Sequence, residues 1–364
     1  MRCLRPALNW IAAASSVLCP LVWGQPAAEM KPIILANDKL EFTISPMGGR
    51  FNKITLKDGD PISPIAAISH FLALDGFGAP STEEAALGMP FHGETNRRIF
   101  DVIATSGSAP LRLVTIRTSL PLAQETLTRT IEVVNGENIV YVTSDLESAL
   151  TIDRPVSWAE HATIGPPYLE RSKVAVDMPA IDCRVRPFKP GNIPGHLVYN
   201  QDFKWPMAPT VDGGQADIRL VPGDHNWLDL ASCQMDPKRR LAFVTALHLE
   251  KHLVYGYVFR RADYPWLMSW MNFTNDNRAA RGMEFSSQPF DISHHETVEM
   301  SPMFGAPTFR WLPAKGKIET KFLIFYAKVP DDFIKIDDVT LEDGKLTILE
   351  HSGKRVVLPA SKEL

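Results

Sequence analysis

The chain has 364 residues, 45% of them hydrophobic, and a formal net charge of -4. A large core is therefore affordable, and the basic footprint of a nucleic-acid binder is missing. Residues 1 to 24 read as a secretory leader. Arg2 and Arg5 open a run that is mostly apolar from Ala7 to Val22 and ends at Gly24. The expected mature start is near Gln25, with a secreted or periplasmic location; an N-terminal anchor is the alternative. No later apolar run approaches the length of a membrane span. Loss of the leader removes Cys3 and Cys19. Cys183 and Cys233 then remain, either paired in an oxidising compartment or as free buried thiols.

From Lys39 the pattern has period two. Leu40, Phe42 and Ile44 alternate with polar residues, and Met47-Gly48-Gly49 turns the chain into a strand from Phe51 to Leu56. Residues 60 to 89 look irregular and read as a long loop region. His92 follows at a turn, and Gly93 beside it would let the backbone approach a ligand closely. Leu111 to Leu120, Thr126 to Val134 and Ile139 to Ser144 are three expected strands, the last two joined at Asn135-Gly136, a strong hairpin signal. No long helical pattern interrupts them, which argues against a parallel α/β sheet.

Trp158-Ala159-Glu160-His161 then runs up to Gly165-Pro166-Pro167, a break that neither a helix nor a central strand continues through. Titratable side chains at a rigid strand end suit chemistry, although His161 alone also reads as a hydrogen-bonded structural histidine. Residues 170 to 222, rich in proline and glycine, are expected to wrap the sheet. Asp224-His225-Asn226-Trp227 comes after a turn, which Asp224 could merely close.

Strands resume at Leu241 to Leu247 and Leu253 to Phe259. Trp266 and Trp270 are either core or faces for a sugar. Glu284 lies between Met283 and Phe285, so on a strand it points away from both. A carboxylate facing a partly dry cleft becomes a usable base; on a solvated face it would be inert. His294-His295 is discounted as a metal pair, because neighbours on a strand face opposite ways. The tail beyond residue 331 is expected to be a C-terminal β-hairpin extension, or three short strands, turned at Asp343-Gly344 and Ser352-Gly353.

Four of these stretches, in this order, resemble the aldose 1-epimerase (galactose mutarotase) family. Phe91-His92-Gly93 is similar to its Leu-His-Gly-Gly turn, and the strand pair leading into Glu160-His161 to the segment that ends in its Asn-His motif. Asp224-His225-Asn226-Trp227 is similar to its Asp-His-Asn-Phe run, and Glu284 to Asp291 to the stretch holding its catalytic glutamate. The resemblance spans residues 38 to 328. It implies an all-β fold, a galactose mutarotase-like β-supersandwich of antiparallel sheets over residues 25 to 330.

The resemblance further implies an isomerase that interconverts sugar anomers. Glu284 would be the general base and His161 the general acid, on opposite sides of the sugar ring. His92, Asp224, Trp227 and Glu160 would hold the substrate. The family's Asn-Arg-Ile segment is not found before His92; Arg97-Arg98-Ile99 lies after it. The partner is a small sugar or a glycan end, with no nucleic acid, and no cofactor or metal is expected. Two alternatives stay open. One is a non-catalytic carbohydrate-binding protein. The other is a glycoside hydrolase or polysaccharide lyase, which needs two carboxyl groups roughly 5 to 9.5 Å apart, Glu160 or Glu94 with Glu284.

Overall fold

In the computed structural model the described residues are 30–59, 61–188, 195–220, 222–223 and 226–364. The expected leader, with its cleavage point near Gln25, lies outside them. Lys31 to Leu364 form one compact unit. Six strands carry the features used below: β1 (Arg50–Leu56), β2 (Phe71–Leu74), β3 (Trp158–His161), β4 (Leu228–Met235), β5 (Trp266–Asn272) and β6 (Glu284–Ser286).

Two large antiparallel sheets face each other. The first runs Asp202–Lys204, Ala180–Val185, β4, β5, β6, β3, β2, with Thr163–Ile164 and Ala280–Gly282 paired beside that path. The second has eight strands, among them Glu125–Val133, Ile139–Ser148, Leu241–His248 and Leu253–Arg260. The Asn135-Gly136 turn joins two of them, with Gly136 at φ 84.

Alternation decides what each face does. Leu72, Leu74, Trp158, Leu267 and Phe285 point from the first sheet into the main core, where they meet Leu127, Ile131 and Val142 of the second. Ala73, Ala159, Leu230, Trp266 and Met268 point the other way. That outer face is roofed by the loop after β2 and by the segment around Phe290 and Met303. The roof makes a pocket out of what would otherwise be a solvated sheet surface.

Three expectations change. The 60–89 region contains β2, because Phe71-Leu72-Ala73-Leu74 is an all-apolar run with both faces covered, and such a run shows no alternation to read. Residues 170 to 222 do not merely wrap. Val174–Asp177 joins the second sheet, and Ala180–Val185 the first. His294 and His295 start a short helix, His294–Glu299, capped by Ser293, instead of lying on a strand.

In the first sheet Cys183 stands directly across from Cys233, and the two form a disulfide with Cα atoms 4.0 Å apart. The tail forms three short strands. Ile336–Glu342, Lys345–Glu350 and Arg355–Pro359 form a sheet that covers the outer face of the eight-stranded one, where Val339 and Ile348 share a core with Val258 and Phe325. Among the described residues no helix is long and apolar enough to cross a membrane.

Candidate active site

The outer face of the first sheet and its roof enclose a cavity of about 640 Å³. Three of the residues expected at the site, His92, His161 and Glu284, line it together. Asp224, the fourth, lies outside the described residues.

His161 ends β3, opposite Phe71 of β2, and its ring stacks on that phenyl at 4.2 Å. Its Nδ1 is 2.9 Å from the Thr163 hydroxyl, which is also placed to donate to the His161 carbonyl at 3.4 Å. With the hydroxyl donating to that carbonyl, Nδ1–H donates to the Thr163 oxygen, and Nε2 is left as a lone pair. In the opposite assignment the hydroxyl donates to Nδ1 and Nε2 carries the hydrogen. Burial pushes the imidazole well below its usual value, helped by the nearby His92.

Glu284 opens β6 with its neighbours Met283 and Phe285 in the core, so its side chain faces the cavity as the alternation predicts. Neither carboxyl oxygen has a hydrogen-bond partner, and the residue is 1% exposed. Burial raises its pKa well above the ordinary carboxylate value, Asp291 adds to this, and Arg186 opposes it weakly. Gly282 makes room for the carboxyl, since a Cβ there would lie 2.7 Å from Oε1.

Oε1 of Glu284 is 3.5 Å from Nε2 of His161. Burial favours the uncharged form of both groups, a carboxylic acid beside a neutral imidazole, over an ion pair. The expected placement on opposite sides of a sugar ring is not what the chain adopts.

His92 belongs to the roof. Gly78 N–H donates to its Nδ1 at 3.0 Å, which leaves Nε2–H as its donor. Burial, with Arg50 adding to it, lowers its pKa to about 4. The fold itself requires the adjacent glycine. Gly93 has φ 74, and a Cβ there would lie 2.1 Å from the Leu74 carbonyl. The turn is further tied down by Thr95, whose hydroxyl donates to the Leu72 carbonyl.

Two expected substrate-binding residues are elsewhere. Glu160 precedes His161 on a strand, so it points to the opposite face. There it is fully buried between the sheets, where Arg129 Nη2 lies 3.0 Å from Oε1 and His70 Nε2 2.9 Å from Oε2. Burial alone would push this carboxyl up, but Arg129 and the hydrogen bonds from His70 and Trp158 overcome that and hold it below its usual value. Trp227 is buried in the main core against Phe273 and does not line the cavity. Glu94 also faces away, accepting the backbone N–H groups of Leu122 and Ala123. The carboxylate pairs that a hydrolase would draw from Glu160 or Glu94 with Glu284 therefore do not form.

Sequence reasoning missed Arg50, Asn96 and Arg186, all of which line the cavity, and gave Asp291 no role. Arg50 had a readable signal. It stands between Gly49 and the core residue Phe51, so strand alternation turns it outward. A backbone bridge between Phe51 and His70 then sets the start of β1 beside β2. Arg186 and Asp291 form an ion pair at 3.3 Å. Trp270 is the tryptophan that faces the cavity, whereas Trp266 is core, its Nε1–H donating to the Pro307 carbonyl.

No family model matches the sequence, and no curated protein matches it. Solved structures do match in fold. The galactose mutarotase related enzyme from Lactobacillus acidophilus is 11% identical with a TM-score of 0.59, covering 84% of this chain and 100% of its own. A galactose mutarotase-like protein from Clostridium acetobutylicum gives 13% identity and a TM-score of 0.57, over 83% of this chain and 96% of its own. An aldose epimerase homologue from C. elegans gives 12% and 0.52, over 82% and 99%. The antiparallel sandwich expected from the four motifs is thus the galactose mutarotase-like fold, carried at very low sequence identity.

Proposed function

We propose that the cavity binds a sugar at its reducing end and interconverts its anomers, with His161 and Glu284 exchanging the protons. The observation that carries this reading is the pair itself: an acid and a base 3.5 Å apart, both driven neutral by burial, with the acid unpartnered in a cavity of ligand size. Close placement suits the reaction. The two oxygens that must lose and gain a proton, the anomeric hydroxyl and the ring oxygen, hang on the same carbon. Two groups side by side can reach both.

The resting protonation reverses the roles that the resemblance implies. His161 Nε2 takes the proton of the anomeric hydroxyl, the C1–O bond becomes a carbonyl, and the C1–ring oxygen bond breaks. The electron pair of that bond stays on the ring oxygen, which takes its proton from the Glu284 carboxyl. Rotation of the open aldehyde and the reverse steps close the other anomer, leaving the protein's proton count unchanged. Both groups have pKa values displaced from their ordinary positions by burial, as acid-base sites commonly do. His92 Nε2–H is a donor for a sugar hydroxyl, and Trp270 offers an aromatic face to the sugar's C–H groups. The fold of the structural neighbours supports the reading at the level of architecture.

The Cys183–Cys233 disulfide supports a second part of the proposal, that residues 1 to 24 direct export to an oxidising compartment. Mass spectrometry of protein from the outer compartment tests this; an intact Met1 on cytoplasmic protein contradicts it. For the activity, NMR exchange between anomers is measured across several aldoses against a buffer blank. Exchange above the blank is the expected result. Binding without exchange would leave a non-catalytic sugar binder.

A further inference from the structure

Arg50 is the one cation lining the cavity that has no carboxylate within ion-pairing distance among the described residues. Its Nη2–H donates to the Asn96 carbonyl at 3.2 Å, while its Nε is shielded from solvent without a partner. The guanidinium lies over the Phe71 ring, 5.6 Å from the centroid. Of the other titratable groups on the wall, Arg186 is paired with Asp291, and burial favours the uncharged forms of Glu284, His92 and His161. The cavity therefore carries one uncompensated positive charge, at Arg50. A cation partly removed from water without a counterion is costly unless a ligand supplies one.

Building on the sugar-binding reading above, we propose that the preferred substrate is a sugar acid, a uronate, whose carboxylate docks on Arg50 while its anomeric carbon meets His161 and Glu284. The placement suits such a molecule. Phe71 touches both the guanidinium and the His161 imidazole, so the cation is about one ring from the reacting pair. In a pyranuronate the carboxylate hangs from the carbon on the far side of the ring oxygen from the anomeric centre. The single surplus charge matches a monoanion and not a phosphate monoester, which carries about -1.5 to -2 at neutral pH. A carboxylate also fits the fork geometry of a guanidinium and gives the bare Nε its partner. Asn96 Oδ1, likewise unpartnered on the wall, is left as an acceptor for a sugar hydroxyl.

The test is calorimetric titration of the full chain with D-glucuronate and D-galacturonate, with their uncharged methyl esters, with D-glucose, and with glucose 6-phosphate. A charge-assisted bond predicts that an acid binds about 10- to 100-fold tighter than its own ester, an advantage that shrinks as salt is raised. R50Q should bring the acid-to-ester ratio close to one, and R50K, which keeps the charge but loses the fork, should leave an intermediate ratio. The wild-type ratio needs no variant, so a misfolded mutant does not blunt the test. Equal binding of acid and ester overturns the inference while leaving sugar binding standing. Tighter binding of glucose 6-phosphate than of either uronate overturns the carboxylate assignment. Binding of none of these sugars overturns the sugar-binding reading as well.

Discussion

Two neighbours on one short strand, Glu160 and His161, face opposite sides of the same sheet and meet opposite treatment. Glu160 is fully buried with Arg129, His70 and Trp158 as partners, and His70 continues through Tyr257 to Tyr255 in a chain of hydrogen bonds. Burial keeps His70 low in pKa, so its contact with Glu160 is a hydrogen bond from a neutral ring, and Arg129 supplies the charge balance. On the other face, Glu284 beside His161 has no hydrogen-bond partner at all. A satisfied buried network fixes how the sheets pack, whereas an unsatisfied one has its hydrogen-bonding capacity left for something that arrives. Titratable residues are frequent in both places. What separates structure from candidate function is whether their partners are already supplied.

The largest effect expected from this contrast is on stability. Arg129→Met leaves Glu160 buried without its cation and should cost about 3–5 kcal/mol by denaturant unfolding. Glu284→Gln removes an unpartnered acid and should cost far less; a comparable loss would erase the distinction. The next effect is a difference in sign with pH. The folded-state pKa of Glu160 is lowered, so the stability it contributes is present above the ordinary carboxylate range and is lost as pH falls through the depressed value. That of Glu284 is raised, so wild type loses stability relative to E284Q as pH climbs above the ordinary range toward the raised value. Against wild type, the E284Q difference should change between pH 5 and 8 and the E160Q difference only below about 4.5, with slopes of opposite sign of up to about 1.4 kcal/mol per pH unit. Parallel curves would contradict the assigned protonation states.

His92 adds a third signature. Its folded pKa is depressed to about 4, so the unfolded chain binds more protons as pH falls below about 6.5. Wild type should lose stability between those values, and His92→Gln should lose less. The smallest effect concerns Trp270. Its replacement by Ala should weaken sugar affinity by about 0.5–1.5 kcal/mol, measured by titration, whereas Trp227→Ala should act on stability instead.

Much of the fold was readable because it rests on local chemistry. The period-two strands, the Asn135-Gly136 hairpin and the outward turn of Glu284 all follow from alternation and turn residues. What was missed depends on pairing across long separations. The all-apolar run at Phe71 hides its strand, because burial on both faces removes alternation. The Pro/Gly-rich 170–222 segment hides short strands whose partners, such as the one bearing Cys233, come much later in the chain.

At the site, Glu160 was misplaced by treating Glu160-His161 as one unit, although adjacent strand residues cannot share a face. Trp227 belongs to the same stretch as Asp224 in sequence, yet its ring packs in the core. Arg50 directly follows a double glycine, whose turn signal masks the outward-facing first residue of the strand.

The central claim is that Glu284 and His161 together move the protons of anomer exchange. The most direct measurement is NMR exchange between anomers of a bound-competent sugar, with affinity measured in the same samples, for wild type and E284Q. The account predicts that E284Q still binds sugar but loses about 10²- to 10⁴-fold of the enzyme-dependent exchange rate, the usual value of a positioned acid or base. Full exchange by E284Q, at unchanged affinity, would contradict it.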